Sequence, residues 1–365
     1  MNDIVIYSAT SLCAVYFMLT AILLFGLFRR SRSVNTPRVS VSIIVPARNE
    51  AANIDACLQA LATQTYPDDL MEIIVVDDRS TDDTAARIDK WTRCLSNLSR
   101  VSVTQQNCAC PKKNALWQGI KHARGDIIFT TDADCRPGPN WIASTLLHFA
   151  PDVGMVIGHA PLLKNEKTLS GLLSLQALIV STLAAGSAGI GFPLTCSGRN
   201  MAYRRKAFDE VNGFNDIGHI IGGDDVLLMR QVAQKSAWKI RFNADVDAFV
   251  PSASHPDNLI NRQVRYQSKT IHYGIPTLIL ALAVYIFHVI LATLPILFWI
   301  DTELFYIVGS CLAIKIIADA VFLLFGGIRF KSLKLLLWFP VLEILIIPYI
   351  VIICALGTFS PFKWK

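Results

Sequence analysis

The chain has 365 residues, 53% of them hydrophobic, a formal net charge of +6 and a mean hydropathy of +0.43. That is too apolar for an ordinary soluble enzyme and long enough for one large domain plus membrane segments. The positive charge does not call for nucleic acid, because no run of Lys/Arg interleaves with aromatics and the basic residues gather near apolar segment ends, where anionic lipid attracts them. Nine scattered cysteines, with no C-x-x-C pair, read as free cytosolic thiols, and Cys108-Ala109-Cys110 has the wrong spacing for a zinc knuckle.

Ile4–Phe28 exceeds the ~20 apolar residues that a bilayer requires. The basic cluster Arg29, Arg30, Arg32 follows it instead of preceding it, so residues 1–30 read as an uncleaved anchor with a cytoplasmic C-terminal end. Strands and helices then alternate. Val39–Val45 is a buried strand stopped by Pro46, and Ala47-Arg48-Asn49-Glu50 opens a helical pattern through Leu58 and Leu61. Glu72–Val76 is a second strand, followed by Asp77-Asp78-Arg79-Ser80-Thr81 and a helix from near Asp82. Val101–Thr104, Asn114–His122 and Asp126–Thr130 read as strand, helix and strand. Such alternation predicts an α/β domain with a Rossmann-like, mostly parallel sheet. Ligands of these sheets bind beyond the carboxyl ends of the strands, where Arg48, Asp77 and Asp132 all fall.

Asp132-Ala133-Asp134 closes the fourth strand. At a strand's two-residue period both carboxylates point the same way, and two charges ~4 Å apart repel by about 4 kcal/mol at an effective dielectric near 20. A hard divalent cation, Mg²⁺ or Mn²⁺, between the pair and a diphosphate accounts for that arrangement. Further on, Leu169–Leu194 is apolar and free of charge, but a single crossing there would separate Asp132 from Asp224. Residues 169–194 are therefore expected to be interfacial or half-buried. Three more spans follow within 275–357: Ile275–Ile300, Leu304–Phe325 and Leu335–Gly357. Asp301 and Glu303 place one loop outside, and Arg329, Lys331 and Lys334 place the next inside. Lys363 and Lys365 break the pattern, and Pro340, Glu343 and Pro348 leave the last segment either spanning or re-entrant. Within a span, Lys315 and Asp319 stand four apart, so they pair with each other or face His288 or Glu343 on another helix.

Between residues 36 and 270 the chain resembles the inverting family-2 glycosyltransferases with a GT-A fold, in their membrane-anchored branch. The resemblance rests on Val41–Glu50, Ile74–Asp82, Lys113-Asn114-Ala115-Leu116, Asp132-Ala133-Asp134, Gly198–Tyr203 and Gly222-Gly223-Asp224-Asp225. It implies that Pro46, Arg48, Glu50 and Asp78 line the nucleotide pocket, that Lys113 reaches the nucleotide or phosphates, and that Asp134 ligates the metal with Asp132 toward the ribose or the same ion. Glu50 could equally be a carboxylate at a helix N-terminus, and Lys113 a solvated charge. Arg265 would contact the leaving diphosphate or snorkel ahead of a span. Arg199, Asn200 and Tyr266 fall on the acceptor side. Asp225 is the expected general base, since a sugar or lipid hydroxyl needs a proton acceptor as it attacks. Asp224 beside it raises the pair's proton affinity; alternatively Asp224 caps the helix Val226–Ala233.

Two departures from the family matter. Processive synthases carry Gln-x-x-Arg-Trp, where this chain reads Arg262-Gln263-Val264-Arg265-Tyr266, and the usual Glu-Asp is Asp224-Asp225. The expectation is a multi-pass protein of the cell (inner) membrane with a cytoplasmic catalytic domain. It would move a hexose from a nucleotide sugar, in first place a UDP-sugar, to a hydroxyl of a membrane lipid: a glycolipid, polyprenyl-linked glycan, hopanoid or carotenoid. A processive exopolysaccharide synthase, a polyprenyl-phosphate sugar synthase, and a nucleotide-sugar-binding scaffold or transporter are the alternatives.

Overall fold

The computed structural model describes residues 2–29, 38–105, 109–163, 168–253 and 259–359. Arg30, Arg32, Cys108, Lys363 and Lys365, used above, lie outside these. The strands are β1 Val41–Ala47, β2 Met71–Asp77, β3 Leu98–Ser102, β4 Ile127–Thr130, β5 Val153–Gly158, β6 Met201–Arg204 and β7 Lys239–Asn243. The helices are α1 Asn2–Phe28, α2 Ile54–Ala62, α3 Thr84–Thr92, α4 Pro111–His122, α5 Trp141–Leu146, α6 Thr168–Gly189, α7 Arg205–Glu210, α8 Val226–Lys235, α9 Leu259–Gln267, α10 Ile275–Ala292, α11 Leu294–Ile300, α12 Thr302–Arg329 and α13 Phe339–Phe359.

The chain divides into two compact units. One comprises Arg29–Glu166 and Leu183–Ser254 and holds one sheet in the order β3-β2-β1-β4-β6-β5-β7. From β3 to β4 the pairing is parallel; β6 runs antiparallel to both its neighbours, and β5 pairs parallel with β7. The central strands are apolar runs covered on both faces, the pattern of a parallel sheet between helical layers. On α2, Ile54, Cys57, Leu58 and Leu61 recur at the helical period and are buried. Helix α4 lies close on the sheet at Gly119, where a Cβ would come within 2.6 Å of Ile44 Cγ2.

Pro46 does not stop the first strand: β1 continues to Ala47, pairing with β2 throughout. Strand β4 ends at Thr130, opposite Ile44, and the Ile44 carbonyl points to that side. The N–H that Pro46 lacks would point the same way, into a place with no strand to receive it.

The other unit comprises Met1–Phe28, Lys167–Thr182 and His255–Lys365, so α9 goes with the apolar helices and the boundary falls inside α6. Among the described residues five helices are long and apolar enough to cross a membrane: Asp3–Phe28, Ser170–Gly189, Ile275–Ala292, Thr302–Arg329 and Leu333–Gly357. Helices α1 and α12 pack through small groups, Cys13 Sγ and Cys311 Sγ each 3.8 Å from a carbonyl of the other helix, as helices without a hydrophobic drive between them require. The expected span Ile275–Ile300 is broken at Thr293, two residues ahead of Pro295. Helix α6 is preceded by β5 and followed by β6, which pair in the same sheet.

Candidate active site

The loops after β1 and β2 are stitched to each other. Asn49 accepts from the Thr81 N–H at 2.8 Å and its own N–H donates to Ser80 Oγ; Thr84 Oγ1 accepts from the Glu50 N–H at 2.8 Å. Asn49 and Arg79 both sit at positive φ, 56° and 57°, a left-handed conformation that non-glycine residues adopt at a cost and that clusters at functional sites. Asp78 is buried between two guanidiniums, Arg79 Nε at 2.9 Å and Arg48 Nη1 at 4.0 Å. Glu50 Oε2 accepts from Asn53 at 2.8 Å. Pro46, Arg48, Glu50 and Asp78 thus lie together at the carboxyl ends of the two neighbouring strands.

Asp132-Ala133-Asp134 lies beyond β4, in a turn. The two-residue strand period therefore does not orient its carboxylates, contrary to the sequence expectation. The turn is fixed instead by the segment Pro251–Ala253, whose Ala253 N–H donates to the Asp134 carbonyl at 3.1 Å and whose Pro251 carbonyl accepts from Arg136 at 2.7 Å. Nothing in that segment's composition announced this role.

Lys112, which sequence reasoning passed over, is the lysine that meets the acids. Its Nζ stands 2.6 Å from Asp132 Oδ1 and 3.3 Å from Asp224 Oδ2. Burial works against its charge, yet Asp132, Asp224 and Asp225 hold its ammonium well above the ordinary lysine value. Burial also pushes the Asp132 carboxyl above its ordinary value; Lys112 opposes this and Asp134 adds to it. Lys113 is a correction: its fully buried Nζ donates to the carbonyls of Ile217 and Ile220 at 2.6 and 2.9 Å. Consecutive residues on a helix point about 100° apart, so the two lysines reach different partners.

Asp224 and Asp225 follow Gly222 and Gly223, both at positive φ (77° and 70°), a turn that only glycine makes cheaply. The helix cap falls on Asp225 and not on Asp224: its Oδ1 accepts from the Val226 N–H at 2.7 Å. Its Oδ2 accepts from Gly198 at 3.1 Å, and a side chain at Gly198 would press on both aspartates. Each oxygen keeps a lone pair beyond these bonds.

Asn200 is a second correction. It is buried, donates to the carbonyls of His159 and Ala248 at 2.8 Å each, and accepts from Trp141 Nε1 at 3.0 Å. It is a core staple and has no face for an acceptor. Arg199 is half-buried on Ser197 and Ser252. Arg265 and Tyr266 belong to α9 in the unit of apolar helices, where the guanidinium lies 5.6 Å from the Tyr266 ring.

The acids fit a hard divalent cation. Burial first, then the nearby carboxylates, push the thiols of Cys57 and Cys135 up, so the donors here are carboxylate oxygens and not thiolates. Among the described residues no three His, Cys, Asp or Glu side chains form a closed cage. Mg²⁺ and similar ions bind in that way, on one or two carboxylates with water and phosphate completing the shell.

Residues 42–211 match Glycosyl transferase family 2, and residues 127–359, more than half of the chain, match Glycosyl transferase family group 2. The chain belongs to the family-2 glycosyltransferases. Among curated relatives of this family, the probable glycosyltransferase YdaM of Bacillus subtilis is 29% identical over 180 residues, 48% of this chain and 43% of that protein. The beta-monoglucosyldiacylglycerol synthase of Synechocystis sp. is 27% identical over 186 residues, 49% of this chain and 38% of that protein. The chain thus covers less than half the length of these relatives. A solved mannosyltransferase from Pyrobaculum calidifontis, in complex with GDP-Man and Mn²⁺, is similar over 93% of this chain and 99% of its own, with a TM-score of 0.58 and 20% identity. That likeness establishes the GT-A fold of this family-2 glycosyltransferase.

Proposed function

We propose that this chain is an inverting glycosyltransferase that moves a hexose from a nucleotide sugar, a UDP-sugar first among candidates, to a hydroxyl of a lipid in the membrane, one or a few sugars per acceptor. One observation carries the reading. The Lys112 ammonium touches Asp132, on the donor side, and Asp224, beside the base, at the same time. That contact supports donor and acceptor chemistry in one cleft, as a direct displacement demands.

In this reading Arg48, Glu50, Asp78 and the β1 end around Pro46 hold the nucleoside. Asp134 and Asp132 would hold Mg²⁺ or Mn²⁺, which when bound neutralises charge on the diphosphate. Asp225, held in place by Val226 and Gly198, takes the proton from the acceptor hydroxyl as it attacks the anomeric carbon from the side opposite the diphosphate. Arg265 is proposed as a further cation for the leaving group, and Arg199 and Tyr266 as acceptor-side residues. The Synechocystis relative is named for a lipid glucoside, and five helices among the described residues are long and apolar enough to cross a membrane; both support a lipid acceptor, with the catalytic unit proposed on the cytoplasmic side of the inner membrane.

The test is sugar transfer by the purified full chain in nanodiscs, from labelled UDP-sugars to lipid extract, with Mg²⁺ or Mn²⁺ and after chelation. Transfer that chelation stops and Asp134→Ala abolishes supports the reading. Turnover indifferent to both sinks it.

A further inference from the structure

Four helices of the apolar unit bring polar groups to one point. Lys315, midway along α12 and 1% exposed, has its Nζ 2.9 Å from Asp319 Oδ2 and donates to Glu343 Oε2 of α13 at 2.6 Å. The Tyr16 hydroxyl of α1 donates to Asp319 Oδ1 at 2.7 Å. His288 of α10 is also 1% exposed and sets its ring edge-on to Tyr16. Its Nδ1 lies 2.8 Å from the Val284 carbonyl. Nδ1 therefore carries the hydrogen, and Nε2 is a bare acceptor. Among the described residues that Nε2 has no hydrogen-bond partner.

One ammonium faces two carboxylates, Asp319 and Glu343, which leaves a surplus negative charge among otherwise apolar helices. An unpaired charge at that depth is strongly disfavoured, and the group takes up a proton instead. The hydrogen bonds say which group. Asp319 receives both Lys315 and Tyr16, while Glu343 receives Lys315 and lies within hydrogen-bond reach of Asp319, a contact two carboxyl groups make only when one of them carries a proton. Among the described residues, the other ionisable groups on elements packed against α13 are Tyr285 on α10, which donates to the Val351 carbonyl, the exposed Lys334 on the preceding turn, and Arg262, Arg265 and Tyr266 on α9, a helix that meets α13 where Tyr349 donates to Gln263.

The geometry points to Glu343 as a protonated carboxylic acid at neutral pH, a proton-binding site inside the bundle, with Asp319 ionised against Lys315. Sugar transfer has no use for this site, so it is a separate property of the apolar unit, and its test does not depend on finding the acceptor.

The experiment is infrared spectroscopy of the full chain in lipid nanodiscs, unlabelled and labelled with ¹³C-glutamate. The expected result is a protonated-carboxyl band at neutral pH that shifts with the label, vanishes in Glu343→Gln, and in Glu343→Asp persists but no longer shifts. Lys315→Met removes the cation, so a second, label-insensitive band from Asp319 should appear. The absence of a label-sensitive band in the wild-type chain, or its survival in Glu343→Gln, overturns the assignment. The wild-type measurement can overturn it even if Glu343→Gln fails to assemble, and Glu343→Asp then decides whether an observed band is Glu343's.

Discussion

Asp132 and Asp224 come from opposite halves of the nucleotide-sugar domain, yet both oxygens rest against Lys112 Nζ, at 2.6 and 3.3 Å. The first sits beyond the end of β4 and the second beyond the Gly222-Gly223 turn that leads into α8. A single cation between them keeps two acids close that would otherwise repel.

This separates the two adjacent lysines by experiment. Lys112→Met leaves the acids facing each other without their counter-charge, and transfer is expected to fall by roughly 10–100-fold with a small change in thermal stability, since the side chain is partly exposed. Lys113→Met takes the donor from the half-buried Ile220 carbonyl, at about 1–3 kcal/mol, while the Ile217 carbonyl keeps the Ile220 N–H. Its melting temperature should drop while the folded fraction keeps its activity. Thermal melts beside kinetics on both variants check the split.

For Asp225 the base and the helix cap can be told apart. Asparagine caps a helix about as well as aspartate but has one acceptor oxygen, so Asp225→Asn should keep the bond from Val226, lose the one from Gly198 at about 0.5–1.5 kcal/mol, and cut transfer to a hydroxyl by at least ~100-fold. Asp225→Ala should lose the same activity and, beyond the Gly198 bond, about 1 kcal/mol of stability for the cap. A nearly normal rate in Asp225→Asn would show that the acceptor arrives as an anion, as a polyprenyl phosphate does.

Asn200 is expected to act on stability alone. Alanine there orphans the Trp141 N–H and the Ala248 carbonyl, while the His159 carbonyl keeps the Val250 N–H, at a total of about 2–5 kcal/mol. Denaturation curves should show that loss, with the acceptor KM of the folded fraction unchanged. A raised KM in a stable Asn200 variant would restore the acceptor-side role.

His159 makes the fold sensitive to acid. Burial, with Arg199 adding, depresses its pKa from 6.5 to about 3. Between those values the unfolded chain binds a proton that the folded chain refuses, so stability declines as pH falls through that window and is unaffected above it. At about pH 4.5 the loss is on the order of 2–3 kcal/mol. His159→Phe, which keeps a ring against Phe249, should flatten the difference between denaturation midpoints at pH 7 and 4.5 relative to the wild type.

Much of this was legible in the residues. Apolar runs of strand length alternating with Ile54, Cys57, Leu58 and Leu61 at the helical period set the α/β domain, because burial on both faces demands such runs. The long apolar stretches marked the apolar helices, and the polar clusters after each run marked the strand ends where ligands bind. Orientation was not legible. Whether Lys112 or Lys113 turns to the acids depends on how α4 is rolled on the sheet, which the contact at Gly119 decides. Whether Asn200 meets an acceptor or three core partners depends on strands and helices far off in the chain. Pro46 inside a strand depends on where its neighbour stops. Local pattern reports what a residue prefers and how often a face recurs; which side chains converge is set by packing between segments that no window of sequence contains.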